Sequence, residues 1–346
     1  MAGRLLAHPE RPASYGALTA LPLVFLQEER STPVNIGQSA DGDDVRLSGP
    51  ARMFRAQFAE NAGELDAMRP DVEGALTCFR QAGDRWGQAV TPPCAPNCGS
   101  TTTTSTARSP TCARPGSPAS GFGSLSVGDE VFGDLRWIDL YLRRGDADRV
   151  IATIGSARER ARRMSAPDML FLVDAWEAVS RVRRGDLDRD RELLDAGERG
   201  LRGGTLFPGD HARTLVGSLR AAYCLETGGL SGAEQALAQT YAAALAARDL
   251  PPLSLVAVQT AAFAPAHGWQ HRAAALLGAA SRLRGAHDRT DRQVRDLTCR
   301  GRAALGEGAF TAAYGTGREL DGQAAVTAVA PARLRREFGA ARPGHG

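Results

Sequence analysis

Apolar positions recur at helical spacing along two long stretches of this chain, separated by one with no aliphatic side chain larger than alanine. From about Pro50 the pattern turns helical. Met53, Phe54, Gln57 and Phe58 fall on one face of a segment rich in Ala, Glu and Arg. Helical patterning resumes near Asp129 and runs to about Ala330. Residues 1–49 show no sustained period and read as a poorly ordered lead-in, and residues 331–346 read as a frayed tail. The β-branched alternation that strands need is missing. The predicted fold class is all-α, with a first helical repeat over 50–90 and a helical array with a C-terminal cap over 129–330.

The intervening stretch breaks the pattern. Residues 91–120 contain no Asp, Glu, Val, Ile, Leu, Met or Phe. Such a segment cannot bury a core face, so 91–128 is predicted to be a disordered, low-complexity region.

An internal repeat organises the helices. Residues 142–149 read LRRGDADR and residues 182–189 read VRRGDLDR, an offset of 40. A third copy, Ala62-Gly63-Glu64-Leu65-Asp66, places Gly63 82 residues before Gly145, close to two periods. Gly228 lies 43 residues after Gly185, and Gly268 a further 40 on. Glycine at this spacing permits the helix-ending backbone that joins two antiparallel helices, and an Asp just after it can cap the next helix. Small residues twelve positions on (Ala75, Ala157, Gly197, Ala280) let the paired helices approach. Pro252, 24 residues after Gly228, marks a helix stop. The predicted turns are therefore Gly63, Gly145, Gly185, Gly228 and Gly268.

The order of glycine, small residue, aromatic, small residue and proline resembles the tetratricopeptide repeat, and predicts a solenoid of antiparallel hairpins with a period of about 40 residues. The chain departs from that family in its longer period and in lacking most of the Trp and Tyr of the first helix. Counting periods between Gly63 and Gly145 calls for one more turn near residue 103, inside the low-complexity stretch. Read one base earlier, codons for residues 104–107 can encode Asp-Leu-Asp-Gly, which restores a Leu-Asp pair in register with Leu65-Asp66. A frameshift across 91–120 would leave the flanking helices without a middle partner, with Phe79 and Val131 exposed.

Residues 53–87 (MFRAQFAENAGELDAMRPDVEGALTCFRQAGDRWG) resemble the C-terminal helical-repeat region of actinobacterial AfsR/SARP-type regulators, of the STAND and LuxR-like kind. Residues 273–330 resemble the end of that region, including Ala274-Ala275-Leu276-Leu277-Gly278-Ala279-Ala280 and Phe310-Thr311-Ala312-Ala313-Tyr314. The likeness covers roughly 51–90 and 129–330. It implies the sensor part of a cytoplasmic signal-transduction regulator, binding a protein partner or small effector on its concave face. In that family a DNA-binding domain and a nucleotide-binding domain precede the repeats. Neither has a motif here: there is no G-x-x-x-x-G-K-[ST] and no recognisable helix-turn-helix. The alternative, an intact regulator acting directly on DNA or as a signalling ATPase, needs those domains.

Composition changes this picture little. All 42 basic residues are arginine, against 39 acidic ones, for a net charge of +3. The small surplus makes no case for nucleic acid or an anionic membrane, and an arginine-only count reflects GC-rich coding. Leu18–Leu26 is the longest apolar run. It is far too short to span a membrane, and Pro22 interrupts it.

Candidate chemistry is weak. Cys94, Cys98 and Cys112 lack a nearby His and the spacing of a zinc site. His267 and His271 are four apart, but no Glu follows in the pattern of a metalloprotease helix. Asp186, Asp188 and Asp190 lack the Gly and Glu of a calcium loop. There is no G-x-S-x-G nucleophile elbow, and Arg333–Arg336 is too short for a nucleic-acid footprint. No catalytic residue, cofactor or metal is predicted. Trp137, Tyr141 and Trp176, on predicted helices, are the candidate partner-binding surface.

Overall fold

The structure, a computed structural model, describes residues 40–84, 87–88, 91, 127–163, 167–182, 190–202 and 209–333. Every regular element among them is helical. Gly185, the cysteines Cys94, Cys98 and Cys112, nearly all of 91–128 and the residues beyond Arg333 lie outside the described residues. No helix among the described residues is long and apolar enough to cross a membrane. The chain divides into two compact units, 1–125 and 126–346.

In the first unit, α1 (Val45–Asn61) packs on α2 (Leu65–Ala82). Helix α1 starts five residues before Pro50, where the sequence placed its start. Asp44 caps it by accepting from the Arg46 N–H at 2.9 Å. Ser48 and Gly49 are buried in its first turns: Ser48 donates to the Ala40 carbonyl, and Gly49 leaves room for the Phe79 ring. Phe54, Ala75 and Phe79 form one core and Ala56, Met68 and Val72 another. Phe79 is 1% exposed and Val131, in the other unit, is 0% exposed. The expected exposure of these two side chains is therefore wrong. Each finds an apolar partner inside its own unit, Phe79 in the α1–α2 core and Val131 among helices further along the chain.

The second unit holds α3 (Val127–Arg144), α4 (Ala147–Arg163), α5 (Pro167–Val182), α6 (Asp190–Arg202), α7 (Gly209–Glu226), α8 (Leu230–Ala247) and α9 (Leu250–Phe263). A 3-10 turn (Ala264–His267) leads to α10 (Gln270–Arg284), α11 (Arg292–Leu305), α12 (Glu307–Arg318) and α13 (Gly322–Ala328). From α3 to α11 each helix packs on the next. In addition α3 meets α5, α5 meets α7, α7 meets α9 and α9 meets α11. The pattern then stops, because α12 and α13 both fold back onto α10. Glycine allows that return: a Cβ on Gly278 would overlap the Tyr314 carbonyl, and one on Gly317 would overlap the Ala275 carbonyl. The two helices therefore cross backbone to backbone.

Gly63, Gly145, Gly228 and Gly268 lie between successive helices with φ of 67°, 73°, 77° and 79°. At each, the glycine N–H donates three residues back and the next N–H donates five back, as in Gly145→Leu142 and Asp146→Tyr141. At each, too, the N–H five residues after the glycine (Met68, Val150, Ala233, Ala273) donates to the carbonyl of the residue following it. Those four side chains are all buried. Position twelve after the glycine is buried in every copy as well: Ala75, Ala157, Thr240 and Ala280. Of the residues that follow the glycines, Asp146 caps the next helix through its side chain, accepting from Arg149, whereas Glu64, Gly229 and Trp269 make no such bond.

The α8–α9 turn has different chemistry. Helix α8 ends at Ala247, and its cap is Arg248, a non-glycine residue at φ 58°. Pro251 and Pro252 fall in the first turn of α9, so Pro252 opens a helix where the sequence reading had it end one.

Buried apolar side chains of the second unit form two clusters that share α7. Val131, Ile138, Val150, Val173 and Leu194 join Val216 and Leu219 in one. Ala221 of the same helix belongs to the other, with Leu237, Val256, Leu276, Leu283 and Phe310.

Candidate binding face

The LRRGDADR motif can be read residue by residue. Tyr141, one residue before it, is 5% exposed and stacks on Trp137, with ring centroids 5.6 Å apart. The Arg149 guanidinium lies over the Tyr141 ring, 5.5 Å from its centroid, and pairs with Asp146 at 3.2 Å. Arg143 reaches its own helix at Asp139 (2.7 Å) and, far along the chain, Asp288 (2.5 Å). The motif thus builds a turn, a cap, three ion pairs and a cation–π contact. Its second copy, at 182–189, lies outside the described side chains.

Of the three candidate aromatics, the structure brings Trp137 and Tyr141 together on α3 and places Trp176 on α5, which packs against α3. Trp137 and Trp176 are half-buried against the same core. Tyr141 belongs to that core, and with 5% of its surface exposed it offers a partner almost nothing. The surface therefore reduces to the outer edges of the two tryptophans.

Between helices, carboxylates are matched by arginine, some of them buried and others partly exposed. Asp71, 6% exposed, takes a bidentate pair from Arg55, with both bonds at 2.6 Å. Arg158 of α4 donates to Asp174 (2.7 Å) and Glu177 (2.5 Å) of α5. Arg160 of α4 pairs with Asp134 of α3, and Arg220 of α7 with Asp195 and Glu198 of α6. Burial would raise the Glu177 pKa, but bonds from Arg181 and Arg158 outweigh it and hold the carboxyl below its ordinary value. None of this was legible as a motif, because 42 arginines in one sequence hide the few that pair.

Of the other candidates, the side chains of Asp186, Asp188 and Asp190 lie outside the described residues. His267 sits between Phe263 (4.8 Å) and Trp269 (4.7 Å), and His271 is exposed. His211 meets the buried Asp249 at 2.5 Å, tying the start of α7 to the α8–α9 turn. Cys78, Cys224 and Cys299 are free thiols. No group of three or more potential metal ligands occurs among the described residues.

An open groove of about 630 Å³ lies between α10, α12 and α13, with Arg272, Thr316, Gln323 and Arg333 on its walls. Arg272 donates to the Ala328 carbonyl at 2.9 Å and Tyr241 to the Val326 carbonyl at 3.0 Å. These bonds satisfy the last carbonyls of α13 and hold it down. Compared with family models, with curated proteins and with solved structures, the chain matches none.

Proposed function

We propose that this chain is a non-catalytic helical-repeat module, a solenoid of antiparallel hairpins with a period near 40 residues, that binds a protein partner or a small effector on its concave face. The observation that carries this reading is the run of contacts from α3 through α5, α7 and α9 to α11, with each helix also packed on its sequence neighbour. Helices stacked this way form a layered array in which one face of each layer is left available. The repeated hydrogen bonding at Gly63, Gly145, Gly228 and Gly268 supports a common repeat unit. The AfsR/SARP-type resemblance gives the module its place, as the sensor part of a cytoplasmic bacterial regulator that acts without cofactor and without binding DNA itself.

The test uses the purified full chain, titrated with operator-type DNA, with ATP and with a panel of peptides and metabolites, following tryptophan emission. The reading expects a saturable response to a member of the panel, weakened by Trp137→Ala or Trp176→Ala, with no ATP hydrolysis. Sequence-dependent DNA binding at moderate salt, or ATP turnover, overturns it.

A further inference from the structure

The two apolar clusters of the second unit meet along α7, where Val216 and Leu219 face one and Ala221 the other. Helix α3 belongs to the first cluster, and the turn between α10 and α11 joins two helices of the second. A polar contact crosses between them. Arg143, the last-turn residue of α3, donates to Asp288 Oδ2 at 2.5 Å and to Thr290 Oγ1 at 3.2 Å. Its Nε donates to Asp139 of its own helix at 2.7 Å, while Nη1 makes the two long-range bonds. Both side chains of the long-range pair are about four-fifths shielded, at 21% and 20% exposed.

Asp288 is prepared for this role. Its Oδ1 accepts from the N–H of Thr290 (3.1 Å), the Thr290 hydroxyl (2.8 Å) and the N–H of Asp291 (3.1 Å). Those bonds fix the turn and leave Oδ2 for Arg143. Asp291 then caps α11 by accepting from Val294. The next residue back, His287, accepts or donates at Nδ1 to the Tyr314 hydroxyl at 3.1 Å, which ties the turn to α12.

We propose that Arg143 and Asp288 form a clasp that holds the start of the array to the α10–α11 turn, and that its release lets the two clusters move about α7 as folded bodies. A shielded, hydrogen-bonded ion pair is the right device for two settings. It is strong when closed, and a buried charge left without its partner is driven to water, so half-open forms are disfavoured. Apolar packing within each cluster does not depend on the pair.

The experiment compares the full chain with Asp288→Asn, Arg143→Gln and the double variant. Asparagine keeps the Oδ1 acceptor and so the turn, removing only the charge. The readouts are hydrogen exchange at residues 138–146 and 286–291, the radius of gyration from small-angle scattering, and helicity. The clasp predicts exchange rising roughly tenfold in both segments for either variant, from loss of a charge-assisted bond. It also predicts a larger radius of gyration, unchanged helicity, and a double variant no worse than either single one. Arg143→Lys, which keeps the charge, should restore part of the protection. The proposal fails if Asp288→Asn perturbs only its own turn, if the radius is unchanged, or if the single effects add. A variant that loses helicity also counts against it, since the pair would then be holding up the fold.

Discussion

A glycine at φ 73° with no atom within reach of an added Cβ isolates backbone strain from packing, and Gly145 is such a residue. Gly145→Val should cost about 1–2 kcal/mol, because a β-branched side chain resists the left-handed region. Gly155 is the control. It lies inside α4 with open space around it and no positive φ, so Gly155→Ala should stabilise by about 0.5–1 kcal/mol. Thermal melts of the two variants should move in opposite directions, and a shared direction would contradict the assignment of Gly145 to a turn. Titration gives a second residue-scale prediction. Burial, then Arg289, lowers the His287 pKa below its ordinary 6.5, so the unfolded chain binds that proton more readily. Stability from this group is complete above about pH 6.5 and falls as pH drops through the lower folded value. At Asp288, burial opposes ionisation but Arg143 outweighs it, and the carboxyl is held at about 2 instead of 3.8. Its share, about 2 kcal/mol, is present above pH 3.8 and is lost as pH falls towards 2. Urea melts from pH 8 to 5 should show a shallower pH slope for His287→Gln than for the parent chain. Equal slopes would remove His287 from the account.

At the scale of elements, the sequence showed helices and some of their turns, but not their crossings. The glycine spacing made Gly63, Gly145, Gly228 and Gly268 visible because a left-handed cap leaves a residue-type signature. Arg248 has the same backbone geometry without the signature, so the α8–α9 turn was mistaken for a proline stop. The start of α1 was missed for a related reason. Asp44 and the buried Gly49 look like loop residues until Phe79 is placed beside them. Of the candidate face, the Trp137–Tyr141 spacing was legible as a helical pair. The burial of Tyr141 was not, since it depends on Arg149 and on neighbouring helices. Glycine lowers helix propensity, yet Gly278 and Gly317 permit the α10–α12 crossing. Gly317→Ala should therefore destabilise by about 2 kcal/mol or more despite alanine's better helix propensity, since backbone on the facing helix cannot yield as a side chain can. A stability equal to or above the parent's would show that the two helices do not cross at that point.

In the second unit as a whole, stability is expected to be local. Residues 126–346 carry two apolar clusters joined along α7, and among the described residues the main helix contacts from α3 to α11 run between near neighbours in the order of the chain, with the Arg143–Asp288 pair reaching further. A stack of this kind behaves as a nearly one-dimensional system, in which damage at one end is felt there first. A single shared core would spread the same damage everywhere. Amide hydrogen exchange on the full-length Gly317→Ala variant separates these directly. The account predicts that protection drops in α10, α12 and α13, while α5 and α6 exchange as they do in the parent chain. An equal loss of protection across all the helices from α3 to α13 would contradict it.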